Sequence, residues 1–226
     1  MLARTLEPEV MDSTDEARDY DAMDHAAVNR AFVDDLLAAL QQARLITPPT
    51  TLRFLDLGTG TAQIPIELCR RMPEAHVVAI DMAEEMLKLG RQNIAAAGLQ
   101  NRIQLEQADG KRLPYGDHSF DALISNSIVH HIPEPRSVLA EAIRVVRPGG
   151  LIFFRDLLRP SDDAELRRLV GTYAAGANEH QRALFDASLR AALSLEEISS
   201  LTASIGRLHY PVQATSDRHW TWSAVG

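Results

Sequence analysis

The chemistry in this chain starts at Phe54-Leu55-Asp56-Leu57-Gly58-Thr59-Gly60-Thr61-Ala62, where an apolar run passes through an acid into a Gly-x-Gly turn that opens a helical pattern. Glycines at such a turn let backbone N–H groups and a helix N-terminus approach a ligand with no Cβ in the way. Alone, the turn is weak evidence, since tight packing of a helix on a strand also produces it. Asp81 supplies context, because it ends the run His76–Ile80 and lies 21 residues beyond Gly60. An acid at the end of a second strand, about 20 residues on, accepts hydrogen bonds from a ribose diol. The expected ligand therefore carries a ribose, with an N-terminal cap for the next helix as the competing reading of Asp81. A dinucleotide turn, Gly-x-Gly-x-x-Gly, needs a third glycine where this chain has Gln63, so pyrophosphate binding is disfavoured.

A second group of reactive side chains follows the fourth apolar run, in Ser125-Asn126-Ser127-Ile128-Val129-His130-His131. His130 is a candidate base, although adjacent histidines are expected to point in different directions, and capping or packing is the competing role. Asp156, just past the fifth run, falls at the carboxyl edge where open α/β sheets bind ligands; a salt bridge to Arg155 or Arg159 is its alternative. The eight histidines show no His-x-x-x-His pair on one helix face, so no metal is expected.

The elements that must hold these residues alternate in type. Short β-branched runs at 52–57, 76–80, 103–107, 120–125 and 151–155 are separated by helical patterns near 62–71, 84–97 and 134–147, which argues for a parallel sheet covered on both faces. Gly98 and Pro148-Gly149-Gly150 fall where helices should stop. Ahead of the sheet, residues 26–45 carry Val28, Phe32, Leu36 and Leu40 on one helical face, with Pro48-Pro49 as the stop. Residues 1–19 are polar, acidic and aperiodic, and read as a mobile arm. Beyond the fifth run, a helix beginning at Ser161, another over about 179–192 and a third opened by the capping box Ser194-Leu195-Glu196-Glu197 form a segment long enough to cover a site. Strands near 207–214 and 218–225 close the chain, the latter placing Trp220 and Trp222 on one face, packed against a covering helix.

Composition bounds the partners. Length favours one domain, divided as an arm and cap helix at 1–50, a binding core at 51–158, a helical lid at 159–206 and closing strands at 207–226. Hydrophobic residues at 46% can build one core, and the net charge of −8 argues against a phosphate-reading surface. Cys69 stands alone, which excludes a disulfide within the chain and fits a reducing compartment. No apolar run approaches the ~20 residues of a membrane span, and the acidic first residues are not a leader, so a cytoplasmic location is expected.

At this point the chain resembles a class I S-adenosylmethionine-dependent methyltransferase over about 50–158. Asp56–Ala62 matches the family's first motif and Asp81 its ribose-binding acid, while Gln107-Ala108-Asp109-Gly110 resembles the motif that sets an aspartate beside the adenine amino group. Leu113-Pro114-Tyr115 with Asp117–Asp121 resembles the entry to the fourth strand, and Arg147-Pro148-Gly149-Gly150 the approach to the fifth. Ala62 stands where a third glycine is frequent. The resemblance implies a Rossmann-like α/β fold with a seven-stranded, mostly parallel sheet, one strand antiparallel, S-adenosylmethionine as cofactor and S-adenosylhomocysteine as product. It implies cofactor contacts from Asp56, Gly58, Thr59, Gly60, Asp81, Met82, Asp109, Gly110 and Asn126, and from Tyr20 in Tyr20-Asp21-Ala22-Met23-Asp24-His25, a segment similar to one that folds over the cofactor. In that frame His25, His130 and Asp156 are the acceptor-side candidates, with a helix N-terminus capped by Asp24 as the other reading of the His25 segment. The Asn/Asp-Pro-Pro-Tyr/Phe of nucleic-acid and protein amine methyltransferases is absent at 126–129, and the His-His-Ile-Pro sequence resembles the ubiquinone/menaquinone C-methyltransferase group. A small-molecule acceptor is expected. A tRNA- or protein-directed enzyme, a nicotinamide-dependent oxidoreductase and a non-catalytic binding module are the alternatives.

Overall fold

The structure, a computed structural model, describes residues 2–8, 13–23, 25–45, 51–206 and 209–226. Readings that rest on Asp24 as a cap, on Pro48-Pro49 as a stop and on the first two residues of a strand from 207 lie outside these residues.

The apolar runs become a seven-stranded sheet in the order β3-β2-β1-β4-β5-β7-β6. Its strands are β1 (Leu52–Leu57), β2 (Ala75–Asp81), β3 (Ile103–Gln107), β4 (Phe120–Asn126), β5 (Val146–Leu157), β6 (Gln213–Ala214) and β7 (His219–Val225). The β1–β2, β2–β3, β1–β4 and β4–β5 pairs are parallel, whereas β7 runs antiparallel to both β5 and β6. The order reverses at β1, where β2 leaves to one side and β4 to the other, and a crevice opens at the carboxyl ends there.

Both faces of the sheet are covered, which is why its strands read as nearly continuous apolar runs. On one face α2 (Ala26–Gln42) buries Phe32, Val33, Leu36 and Leu40 beside α3 (Gln63–Arg71) and α4 (Glu84–Ala97), against Phe54, Val77 and Phe153. Phe32 meets Phe153 edge-on at 5.3 Å. On the other face α5 (Arg136–Val145) and α8 (Leu195–Ser204) pack with Leu55, Val78, Leu123 and Phe154. Neighbours such as Phe153 and Phe154 go to opposite faces because strand side chains alternate. Trp220 and Trp222 are fully buried in this second layer with Ile198 of α8, as their spacing requires, and Trp222 Nε1 donates to Tyr210 O at 3.0 Å.

Four local expectations change. Pro148-Gly149-Gly150 does not form a reversal; it lies inside β5, which follows α5 directly, and Gly149 N–H donates to Gly226 O while the β4–β5 register shifts. Gly150 is required there because a Cβ would lie 2.5 Å from Asp121 O. The sixth helix, α6 (Asp163–Tyr173), is capped by Asp162 rather than begun at Ser161, since the Asp162 carboxylate accepts from Ala164 and Glu165 N–H. The first closing strand is two residues long. Finally, the N-terminal arm is seated: α1 (Thr14–Asp21) is helical, Thr5 N–H donates to Arg190 O, and Arg4 reaches Ala191 O and Ile132 O. Charged side chains serve here as donors to backbone carbonyls left open at the ends of elements, so apolar periodicity does not show them.

Candidate active site

At the crevice a cavity of about 130 Å³ is walled by the ends of β1, β2 and β4. Gly58 and Thr59 N–H both donate to Ile80 O at 2.9 Å, closing the turn against β2. Gly58 has φ +75°, and a Cβ there would sit 2.0 Å from Ile128 Cγ2, so only glycine fits. Asp81 Oδ2 accepts from Gly60 N–H at 2.8 Å and its Oδ1 from Ala83 N–H at 2.9 Å. These bonds fix the carboxylate at the mouth of the turn; Ala83 is the cap residue of α4.

Of the residues expected to contact the cofactor, Tyr20, Gly58, Gly60, Asp81, Met82, Asp109, Gly110 and Asn126 line this cavity. Asp56 and Thr59 do not; they lie behind the turn, 2% and 9% exposed. Burial pushes the Asp56 carboxyl up to about 7. Among the described residues, Thr61 Oγ1 and Asn126 Oδ1 are buried with no hydrogen-bond partner, at the turn and the adjoining strand end. Such atoms suit a ligand bearing N–H and O–H groups, and so fit S-adenosylmethionine. Burial, then the Asp81 and Asp56 carboxylates, push the Tyr20 phenol up to about 12, keeping it neutral. Gln63, which replaces the dinucleotide glycine, has a structural role: it donates to Asp21 and accepts from Asn29, tying α3 to α1 and α2.

A second cavity of about 560 Å³ adjoins the first and shares Tyr20, Asn126, Ser127 and His131 with it. Its walls come from Met23, His25 and Val28 on one side, and from α6 and α7 (Glu179–Ala191) on the other through Tyr173, Leu184, Phe185 and Ser188. The segment after β5 thus lines one side of this cavity. His25 faces this space, its ring 4.7 Å from that of Tyr20. His130 also lines it, and Asp156 stands behind.

Asp156 makes no ion pair with Arg155 or Arg159. Arg155 pairs with Asp35 and bonds Thr221, and Arg159 pairs with Glu197. Instead Asp156 Oδ1 lies 2.5 Å from His130 Nδ1 and accepts from Leu157 N–H, while Oδ2 accepts from Val129 N–H. Burial works to raise the Asp156 carboxyl, but His130 and the two N–H groups outweigh it and hold it below its ordinary value. Burial likewise opposes charge on His130, yet Asp156 and then Glu7 carry its pKa above the usual one. His131 is pushed down to about 3 by burial and by the charge of His130.

The two histidines do not diverge. Their rings lie 4.2 Å apart, tilted by 34°, and both face Glu7. The reason is the single 3-10 turn Val129–His131, in which successive side chains are about 120° apart, unlike the opposition of a strand. Sequence reasoning missed Glu7, His131 and Ser127. Glu7 arrives from over 120 residues away and no local pattern marks it; Ser127, on both cavity walls, takes φ +58° with no glycine to announce it.

Fold and crevice define an open α/β domain with two adjoining cavities at its strand-order reversal. Residues 55–154 match a family described as "Methyltransferase domain". Demethylmenaquinone methyltransferase of Porphyromonas gingivalis is 35% identical over 118 residues, 52% of this chain and 48% of that protein. The ubiquinone/menaquinone biosynthesis C-methyltransferase UbiE of Dinoroseobacter shibae is 34% identical over 140 residues, 61% of this chain and 54% of that protein. The chain spans about half the length of the curated relatives it matches. A solved structure from Methanococcus maripaludis, assigned as an S-adenosyl-L-methionine-dependent methyltransferase, shares the fold over 100% of this chain and 97% of its own, with TM-score 0.70 and 16% identity. Over residues 55–154 the chain is similar to methyltransferase domains, and over its whole length it shares the fold of a solved methyltransferase structure. Among the described residues, no helix is long and apolar enough to cross a membrane.

Proposed function

We propose that the protein transfers a methyl group from S-adenosylmethionine to a small-molecule acceptor held in the larger cavity. The observation that carries this reading is the common wall of the two cavities, Tyr20, Asn126, Ser127 and His131, across which a bound cofactor and a bound acceptor would be neighbours. When bound, S-adenosylmethionine supplies an electrophilic methyl group on its sulfonium, open to in-line attack.

The chain's own part is to bind, align and exclude water, and proximity of this kind supplies much of the acceleration. Asp81 takes the ribose and Asp109 the adenine side, on the reading above. Tyr20 and the α6–α7 segment close the acceptor space. His25 and His130 are the groups on its wall that can take a proton from an acceptor that needs to lose one; Asp156 is a positioning residue, holding His130 Nδ1 so that Nε2 is turned toward Glu7. Relatives named for quinone precursors and the overall charge of −8 both support a small organic acceptor over a nucleic acid. The buried, lone Cys69 thiol supports a reducing compartment, the cytoplasm, and the shared cavity wall supports treating residues 1–226 as one domain.

The test is thermal unfolding with S-adenosylhomocysteine, S-adenosylmethionine, NAD or no ligand, since a compound that binds only the native state raises the midpoint by mass action. A rise with the two sulfur compounds alone is expected, followed by label transfer from methyl-labelled donor in an acceptor screen. No rise, or a rise with NAD only, overturns the reading.

A further inference from the structure

The arm and the histidine turn bring together three ligating atoms that neither local sequence nor the methyl-transfer reading accounts for. Glu7 accepts from Ser188 Oγ through Oε2 at 3.3 Å, which leaves Oε1 aimed at two imidazoles. Oε1 lies 3.1 Å from His131 Nδ1 and 3.5 Å from His130 Nε2, and all three atoms fall within 4.8 Å of one another. The Glu7 side chain is only 9% exposed, yet among the described residues its Oε1 has no hydrogen-bond partner, and neither has His131 Nδ1. The three ligating atoms therefore converge on one buried point, where a shared cation would satisfy them together.

We propose that Glu7, His130 and His131 bind one divalent transition-metal ion of the zinc type on the wall of the acceptor cavity. Two imidazole nitrogens and one carboxylate oxygen form a donor set that zinc and its neighbours accept. For bonds of about 2.1 Å, the ligand atoms of a tetrahedral ion stand ~3.4 Å apart, close to the 3.1 and 3.5 Å by which Glu7 Oε1 is separated from the two ring nitrogens. Asp156 completes the arrangement, because a histidine ligand ordinarily donates its other ring nitrogen to a carboxylate, which sets its tautomer and orientation. Three protein ligands leave at least one coordination position, and since both histidines line the larger cavity, that position faces it. An acceptor oxygen or a water molecule fits there. The ion takes the place of a proton at His130 Nε2, so His130 then acts on the acceptor through the metal, and His25 remains the proton-accepting candidate. Arg4, bonded to His130 O and Ile132 O, is the cation that opposes binding. Only this acceptor-side consequence rests on the methyl-transfer reading.

The test uses the full chain without a histidine tag, stripped with a chelator. Zn²⁺ is titrated calorimetrically and Co²⁺ is followed by its ligand-field absorption. One ion per chain is expected, with affinity lower by about tenfold or more in Glu7→Gln and His131→Ala, and by about 10–100-fold in Asp156→Asn. Circular dichroism checks each fold, and His131→Gln substitutes for an alanine variant that fails to fold. No uptake of either ion at about 100 μM, or equal uptake by wild type and the folded Glu7 and His131 variants, overturns the proposal. S-adenosylhomocysteine binding by the same samples separates the two readings. Zn²⁺ uptake without it counts against methyl transfer and for the metal site, and the reverse counts against the metal site alone.

Discussion

Replacing Asp81 by alanine tests the cofactor site at its most constrained atom. The carboxylate is held by Gly60 N–H at 2.8 Å and Ala83 N–H at 2.9 Å, so it is positioned before any ligand arrives. Its remaining lone pairs can then accept from both hydroxyls of a ribose, a pair of charge-assisted bonds on the order of 2–4 kcal/mol. At about 1.4 kcal/mol per decade, Asp81→Ala should weaken S-adenosylhomocysteine binding about 30- to 1,000-fold. The same change strips two N–H groups of their acceptor and should cost about 1–3 kcal/mol of stability. Asp81→Asn separates the effects, because its amide oxygen keeps one backbone bond and recovers part of the stability while the charge is gone. Isothermal titration with S-adenosylhomocysteine, at a temperature where both variants are folded, reads the first quantity and denaturant unfolding the second. Lost stability with affinity within about threefold of wild type would refute the reasoning. Asp81 would then brace the turn and nothing more.

Asp56 should make stability depend on pH. Its carboxyl has a folded-state pKa of about 7, above the unfolded value, so the folded chain holds a proton that the unfolded chain releases and stability falls as pH rises from about 4 to about 7. Asp56→Asn should remove at most ~4 kcal/mol of that loss, raising the melting point at pH 8 and leaving it little changed near pH 4; parallel curves would count against the assignment. Gly58→Ala combines a left-handed φ with a clash on Ile128 and should cost about 2–4 kcal/mol in denaturant unfolding, partly restored by Ile128→Ala in the same chain. Trp222→Phe leaves Tyr210 O without its donor and opens space in the second layer, for a loss of about 1–3 kcal/mol by the same measurement; a change under about 0.5 kcal/mol would show that the indole N–H is dispensable.

Much of this molecule was legible in one dimension because the forces involved act within a turn or a strand. The runs at 52–57 and 103–107 are the strands β1 and β3 to the residue, and the helix over 84–97 is α4, ended by Gly98 at φ +71°. Ser194 caps α8 by reciprocal bonds with Glu197, visible in four letters of sequence. The first cavity was legible for the same reason: Gly58, Gly60 and Asp81 are set by one turn and one strand end, and a parallel sheet brings successive strand ends to the same edge.

The acceptor side was not legible, because each part of it depends on contacts between distant segments. Arg4 and Glu7 read as solvated arm residues, and only the seated arm shows them bonded to His130 O, Ile132 O and Ser188. In the sequence Asp156 reads as a ligand-edge acid or a partner of Arg155 or Arg159, and its pairing with His130 emerged only when packing drew the two arginines to Asp35 and Glu197. Spacing along the chain determined the class of fold and the cofactor edge, since backbone geometry and hydrophobic period repeat over a few residues. The acceptor wall, with its arm, histidine pair and carboxylates, was decided by the tertiary structure alone, because it is built from polar side chains that follow no period and meet only once the core has formed.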